Sequence, residues 1–174
     1  MLIRKYISWL ALPVIVLFIA AAGNSSCRIY KFNEATVPDS IKTVKVNFIE
    51  NRARYINPQL SPSLTDKLRQ KITGQTRLTQ TNGDNPDWEI SGQITNYSFT
   101  TSAISNQQVV NNRLTVGVHI VLYDRKSETT KEHDVSRSFE FKGDQSFQQA
   151  ENALGQEMVR TLTDEIFNKL FSNW

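Results

Sequence analysis

The stretch LTVGVHIVLY, residues 114–123, carries the clearest β-strand pattern in the chain. Every second position is apolar, and these positions are Leu114, Val116, Val118, Ile120 and Leu122. Because successive side chains of a strand point to opposite faces of a sheet, this alternation predicts a strand that buries one face. The fold is therefore expected to contain a sheet with one face against a core.

Three further stretches show weaker strand patterns. One lies at about residues 42–49, a second runs from Trp88 to Phe99, and a third lies at about 132–142. In the second, the apolar positions change parity near Thr95 and Asn96. A change of parity within one strand is typical of a β-bulge, so we expect a bulge there.

Two stretches have the spacing of amphipathic helices. The first contains Leu60, Leu64, Leu68 and Ile72, and the second contains Phe147, Ala150, Leu154, Met158, Leu162, Ile166 and Leu170. Ser61 and Pro62 predict the N-cap and first position of the first helix, and Gly74 predicts its end. Ser146 and Gln149 have the spacing of a capping box at the start of the second.

The order of these elements is β-α-β-β-β-α. It predicts an α+β fold, a two-layer sandwich in which two helices cover one face of a four-stranded, mostly antiparallel sheet. The other sheet face carries Thr, Ser, Gln, Asn and His side chains. Such a face is either solvated or in contact with a polar partner.

The first 26 residues read as a lipoprotein export signal that ends at Cys27, the one cysteine of the chain. Two basic residues, Arg4 and Lys5, precede an apolar run and a short stretch of small residues. We therefore predict a signal peptide at 1–26, a lipidated tether at 27–40 and a single globular domain at 41–174. Cys27 is the predicted lipid attachment point, because no second cysteine can pair with it.

Two alternatives to lipidation remain open. Asn24 departs from the usual pattern before a lipidated cysteine, and cleavage after Ala20-Ala21-Ala22 would release a soluble protein. An uncleaved segment from Tyr6 to Ala22 approaches the lower length limit of a spanning helix, so it could also act as a simple membrane anchor.

The charge of the mature chain is close to neutral. The full sequence has 20 Lys and Arg against 17 Asp and Glu, and residues 1–26 contain two basic residues and no acid, which leaves 18 against 17. The basic pI of about 9.0 therefore gives no reason to expect nucleic acid as a partner.

The sequence predicts a binding or structural module, and no catalytic residue, metal or cofactor is indicated. It lacks G-x-S-x-G, H-E-x-x-H and glycine-rich phosphate-loop patterns. His119 and His133 lie on neighbouring predicted strands, away from any cysteine or compact acidic cluster in sequence. We expect His119 to be a surface residue.

Five segments together resemble the LptE lipopolysaccharide-assembly lipoprotein family, in the form found in Bacteroidetes-type bacteria. The segments are CRIYKF at 27–32, IKTVKVNF at 41–48, NPQLSP at 57–62, GQITNY at 92–97 and NRLTV at 112–116. The resemblance implies a non-enzymatic subunit of the outer-membrane translocon that sits with a β-barrel partner and helps lipopolysaccharide reach the outer leaflet. It also implies a membrane anchor through the N-terminal lipid.

Two features after Cys27 favour the outer membrane, facing the periplasm. Arg28 is not the aspartate that favours inner-membrane retention in enterobacterial lipoproteins, and residues 29–33 lack the acidic run that resembles a surface-export signal.

Basic residues in two predicted loops are the candidate contacts to lipopolysaccharide or to the partner. They are Arg52 and Arg54 in one loop, and Arg125, Lys126 and Lys131 in and beside another. Arg and Lys are natural partners of phosphate groups, and charges in a turn are expected to cost little stability. The main rival hypothesis is a stand-alone periplasmic lipoprotein that binds a small apolar ligand between sheet and helices; an enzyme is a weaker one.

Overall fold

The computed structural model describes residues 37–105 and 108–172. Cys27, the predicted signal peptide and most of the predicted tether lie outside these residues. The described elements, in chain order, are β1 (Thr43–Val46), β2 (Glu50–Asn51), α1 (Leu60–Gln75), β3 (Thr79–Gln80), β4 (Trp88–Ser105), β5 (Gln108–Asp124), β6 (Thr129–Lys142) and α2 (Phe147–Phe171).

Strands β4, β5 and β6 form the antiparallel part of the sheet, as the alternating patterns predict. The core-facing residues align across the strands, so Ile90 lies opposite Leu122 and Val118 lies opposite Val135. The register of β4 against β5 shifts between Ile94 and Asn96, which confirms the predicted bulge.

The prediction of a four-stranded, mostly antiparallel sheet is wrong in detail. The sheet has six strands in the described residues and is mixed, with the order β3-β1-β4-β5-β6 and with β2 also paired to β4. Strands β1 and β2 run parallel to β4, and β3 runs parallel to β1. Helix α1 lies between β1 and β4 in the chain and returns it to the end of the sheet where β1 starts. Strand β4 therefore runs parallel to β1. Strands β2 and β3 are two residues long, too short to show an alternation.

The first predicted strand, 42–49, is divided in the structure. β1 ends at Val46, the amide of Asn47 still donates to the carbonyl of Ile90 at 2.8 Å, and pairing with β4 resumes at β2. Between them Ile49 is buried, and its amide donates to the hydroxyl of Thr65 on α1 at 3.0 Å. At this interruption the segment between β1 and β2 is therefore hydrogen-bonded to α1.

Helix α1 begins before the predicted cap. Its first residue is Leu60 and its N-cap is Gln59, which makes no side-chain capping bond, so Ser61 and Pro62 lie inside the first turn. The side chain of Asn57 accepts a hydrogen bond from the amide of Gln59 at 2.9 Å and fixes this entry. The helix continues past Gly74 and ends at Gln75.

Helix α2 starts with the predicted capping box, in which the Ser146 and Gln149 side chains bond reciprocally to the backbone. Both helices pack on the apolar face of the sheet, and their buried side chains form a single core cluster with those of the strands. Leu64, Leu114 and Leu162 are fully buried in this core. Phe147 is an exception to the predicted stripe, because it is 52% exposed.

Candidate functional site

Arg125, in the turn between β5 and β6, is held by the loop that precedes β4. Its guanidinium donates to the carbonyls of Pro86 and Asp84, each at 3.2 Å. Its backbone amide donates to the carbonyl of Asp87 at 2.9 Å. The hydrogen-bond donors of Arg125 that face this loop are therefore used to hold the loop in place.

The carboxylate of Asp87, the residue before β4, contacts both the start of β1 and the turn between β5 and β6. It accepts hydrogen bonds from the amides of Lys42 at 2.7 Å and Thr43 at 3.0 Å, and its other oxygen lies 3.0 Å from the ammonium of Lys126. The amide bond from Lys42 is the main reason that the pKa of Asp87 is lowered to about 2, with Thr43 and Lys126 acting in the same direction. Lys126 also donates to the carbonyl of Ser40.

The other three predicted contact residues are exposed. Arg52 pairs with Glu50 at 2.9 Å, and Arg54 and Lys131 make no side-chain hydrogen bond or ion pair within the part of the chain that the structure describes. The amide of Arg52 bonds to Ile94, whereas Arg125 bonds to the residue before β4. At about 3.3 Å per strand residue, the two basic groups are thus roughly 20 Å apart along β4, so the structure does not bring them together.

A cluster of aromatic side chains covers the end of the sheet near Arg54. Tyr55 stacks on Tyr97 with ring centroids 5.4 Å apart, and Phe147 stacks on Phe99 at 4.2 Å. Tyr97 and Phe99 contact each other edge to face at 5.6 Å. Tyr55 and Phe147 are 44% and 52% exposed, so each outer ring has one face on an inner ring and presents surface to solvent.

The carboxylate of Glu151, on α2, joins this cluster to the 52–58 loop. It accepts hydrogen bonds from the hydroxyls of Tyr97 at 2.8 Å and Tyr55 at 3.1 Å, and from the amide nitrogen of Asn57 at 3.2 Å. Desolvation raises the pKa of the Tyr97 hydroxyl well above its usual range, and the nearby Glu151 charge raises it further. The Tyr55 pKa is raised for the same two reasons. Both phenols are therefore hydrogen-bond donors at neutral pH.

A groove of about 490 Å³ opens beside this network, between α2 and the start of α1. Polar side chains form most of its wall, including Tyr55, Asn57, Gln148, Glu151, Asn152 and Gln156. Its volume lies in the range of small-ligand sites, which run from about 300 to 1,000 Å³.

The face of the sheet away from the helices is polar, as expected. His119 lies on it, with Nδ1 2.8 Å from Asp134 and Nε2 3.7 Å from Glu132. β6 places these two carboxylates beside His119, a proximity that the sequence reasoning did not identify. His133 lies opposite Ile120, on the other side of the pleat.

Residues 37–105 and 108–172 show neither a metal-binding cluster nor a membrane-spanning helix. These residues contain no cluster of three or more His, Cys, Asp or Glu side chains arranged to hold a metal ion. Neither helix in this part of the chain has the combination of length and apolar character needed to cross a bilayer.

Sequence reasoning did not identify the network of Tyr55, Asn57, Tyr97 and Glu151 as a candidate site. Asn57 and Glu151 are 94 positions apart, so no local pattern connects them. The usable signal was the parity change in β4, since the bulge returns Tyr97 to the core-facing side beneath the loop.

The helix-covered domain shows fold similarity to several solved structures. One is the hypothetical protein CT253 from Chlamydia trachomatis, at 8% identity and a TM-score of 0.49, with 76% of this chain and 99% of that chain covered. Another is a PelC dodecamer from Paraburkholderia phytofirmans, at 12% identity and a TM-score of 0.49, with 81% and 96% covered. A third is a minor lipoprotein from Acinetobacter baumannii, at 13% identity and a TM-score of 0.43, with 74% and 87% covered.

The sequence of the chain was also compared with known families and with curated proteins. No curated protein matches it in sequence. However, a model of the LptE family, described as lipopolysaccharide-assembly, matches residues 41–170, which span β1 to the last turn of α2. This range includes both basic groups, the aromatic cluster and the groove. The match covers well over half of the chain, so the protein belongs to the LptE lipopolysaccharide-assembly family, as the five sequence segments indicated.

Proposed function

We propose that this protein is a non-enzymatic, lipid-anchored subunit of the outer-membrane lipopolysaccharide translocon. In this role it supports assembly of a β-barrel partner and insertion of lipopolysaccharide into the outer leaflet. The observation that carries the proposal is the family match over residues 41–170.

The proposed anchor is a lipid on Cys27, with signal peptide 1–26 removed. A tether of about ten residues would then join the lipid to the described domain, and at about 3.3 to 3.6 Å per residue it could reach at most roughly 35 Å. The domain would therefore stay close to the membrane surface on the periplasmic side.

The proposed contact surface for the β-barrel is the open face of the sheet. Across β5 and β6 this face carries mainly polar and charged side chains, and Thr115 and Ser138 bond to each other across it at 2.9 Å. The interior of a membrane β-barrel is itself polar, so a subunit seated there needs a hydrophilic surface with its apolar residues hidden. A sheet whose apolar face is covered by two helices meets this requirement.

The proposed lipopolysaccharide contacts are the exposed cations Arg52, Arg54 and Lys131, together with Arg125 and Lys126. Each can offer charge-assisted hydrogen bonds to phosphate. Arg54 and Lys131 are the better candidates, because Arg52 is paired with Glu50, and Arg125 and Lys126 bond to backbone carbonyls and to Asp87.

The deciding experiment is affinity purification of the tagged full chain from detergent-solubilised outer membranes. We expect a large β-barrel protein to copurify in stable proportion. Ser136→Arg, which adds a bulky charge to the open face, should reduce the yield of the barrel, and Gln70→Arg on the exposed side of α1 is the matched control. Elution of the lipoprotein without any barrel would contradict the proposal, as would equal yields from the two variants.

A further inference from the structure

The groove between α2 and the start of α1 is lined by hydrogen-bonding groups that have no partner among the described residues. Gln148, Asn152 and Gln156 line it and are exposed, and their side-chain amides bond to no other protein group within the described residues. A primary amide offers both donors and acceptors from one side chain. The wall can therefore match a ligand group that is itself both donor and acceptor.

The groove is also lined by an aromatic ring that is held in place, that of Tyr55. One face of Tyr55 stacks on Tyr97, its hydroxyl donates to Glu151, and the same carboxylate is bonded by Asn57. A ring fixed on one face and at its tip loses little freedom when a ligand covers the other face, so less free energy is spent on ordering it. The exposed face of an aromatic ring is also electron-rich and attracts weakly positive C–H groups.

We propose that this groove binds a neutral, hydroxyl-rich saccharide, with a pyranose ring on the exposed face of Tyr55. The C–H groups on one side of a pyranose match the aromatic ring, and its hydroxyls match the amides of Gln148, Asn152 and Gln156. The Glu151 carboxylate in the wall disfavours an anion such as phosphate, because two negative charges would be brought together in a partly enclosed site. It equally disfavours an acyl chain, which would cover charged and polar groups without bonding to them.

Two sources could supply this chemistry. If the proposed function is correct, the source is the sugar region of lipopolysaccharide, and in that respect the inference rests on the proposed function. The other source is a free oligosaccharide, which would bind whether or not the protein works with a translocon.

The test is saturation-transfer NMR on the full chain in detergent micelles, with titration of each probe. The probes are a neutral oligosaccharide prepared from the sugar region of lipopolysaccharide, maltohexaose as an unrelated neutral saccharide, and inorganic phosphate. We expect the lipopolysaccharide oligosaccharide to bind and phosphate neither to bind nor to compete. Binding of maltohexaose as well would support a site for neutral saccharides in general, and its absence would support the lipopolysaccharide source.

Two variants link the binding to the groove. Tyr55→Ala removes the platform and should weaken saccharide binding about tenfold, the equivalent of one aromatic contact. Asn152→Ala should also weaken it, and this exposed residue makes no side-chain hydrogen bond or ion pair within the described residues, so the fold should be unaffected. Phe48→Ala is the matched control, since Phe48 is 53% exposed but does not line the groove.

Three results would overturn the inference: no transfer signal from either saccharide at millimolar concentration, displacement of the saccharide by phosphate, or unchanged affinity in both Tyr55→Ala and Asn152→Ala. Thermal unfolding of each variant separates loss of the site from loss of the fold. Copurification of a β-barrel with a wild-type protein that fails to bind saccharide would reject this site while leaving the proposed function standing.

Discussion

The ammonium of Lys126 lies 3.0 Å from the carboxylate of Asp87 and joins the β5–β6 turn to the start of β4. The same carboxylate holds the amides of Lys42 and Thr43 at the start of β1. Three segments that are distant in sequence therefore meet at one charge. Both Arg125 and Lys126 bond to neighbouring loops through their side chains, so we now predict that removing either of them lowers stability.

Asp87→Asn should lower the free energy of unfolding by about 1.5 to 3 kcal/mol, the value of hydrogen bonds to a charged group. The amide keeps one acceptor but removes the charge that faces Lys126. Urea unfolding at neutral pH measures the difference. Asp66→Asn is the control: Asp66 is exposed and pairs with Arg69 at only 3.5 Å, so its change should stay within about 0.5 kcal/mol. Equal losses in the two variants would show that Asp87 has no special role.

The stability that Asp87 contributes should depend on pH in a defined window. Its folded-state pKa of about 2 is below its ordinary value of 3.8, mainly because the Lys42 amide bonds to the ionised form. The unfolded state thus binds the proton more readily, and the contribution is complete above the ordinary pKa and is lost as pH falls towards about 2. Stability measured across this window should fall more steeply for the wild type than for Asp87→Asn. Parallel curves would contradict the assignment.

Leu162→Ala should destabilise the protein by about 2 to 5 kcal/mol, since Leu162 is fully buried between α2 and the sheet and its truncation leaves a cavity. Leu154→Ala should cost clearly less, because Leu154 lies at the margin of the core and is only partly buried. Both are measured by chemical denaturation. A Leu162→Ala change within about 0.5 kcal/mol of wild type would mean that α2 does not pack as described.

The long elements could be predicted because each carries many repeats of its pattern. β5 shows five alternating apolar residues, and α2 shows an apolar stripe with a capping box at its start. The parity change in β4 even located the bulge at Ile94 to Asn96. In such cases local periodicity and burial agree, so the sequence alone is sufficient.

The remainder could not be predicted, for two physical reasons. First, β2 and β3 are only two residues long, and they are strands because they pair with the backbone of a longer neighbouring strand. Glu50 of β2, for example, lies opposite Gln93 of β4. The Tyr97–Glu151 contact, like that of Lys126 with Asp87, depends on the way distant segments pack, and no local spacing encodes it. The helix α1 starts earlier than predicted, because the side chain of Asn57, and not that of Ser61, accepts the hydrogen bond at its start.

The exposed cations make a separate prediction about lipopolysaccharide. Arg54→Gln and Lys131→Gln should each weaken binding by about 1.5 to 3 kcal/mol if the side chain bonds to phosphate directly, and by about 0 to 1 if it acts as a screened surface charge. Affinity at low and moderate salt distinguishes the two cases, because the contribution of a distant screened charge fades with salt more completely than that of a direct hydrogen-bonded contact. Lys169→Gln, an exposed cation at the end of α2, is the control. Wild-type affinity in both variants would remove these residues from the proposed contact surface.

Cys27→Ser should move the protein from the membrane fraction to the soluble fraction in cells that lack the barrel partner. A single acyl chain binds a bilayer only marginally, with a constant of about 10⁴ M⁻¹, so stable anchoring requires the several chains of a mature lipoprotein. Fractionation followed by immunoblotting measures the distribution. Retention of the variant in membranes would point to an uncleaved N-terminal segment as the anchor.

Gly92→Ala should destabilise the sheet by about 1 to 3 kcal/mol, although the substitution is small. Gly92 interrupts the apolar series of β4 at the position opposite Ile120. An added methyl there would lie 2.5 Å from the Ile120 side chain and 3.0 Å from the His119 carbonyl, both in a packed environment. The space that a side chain would occupy at this position is already filled from the neighbouring strand.

The matched control for this prediction is Gly74→Ala, in α1. A methyl at Gly74 would meet nothing within 4 Å, and alanine is favoured over glycine inside a helix by roughly 0.5 to 1 kcal/mol. The two substitutions add the same atom and should shift the urea midpoint in opposite directions, downwards for Gly92→Ala and upwards for Gly74→Ala. If Gly92→Ala were as stable as wild type, Ile120 would have to move aside freely, and the close packing of β4 against β5 at this point would be incorrect.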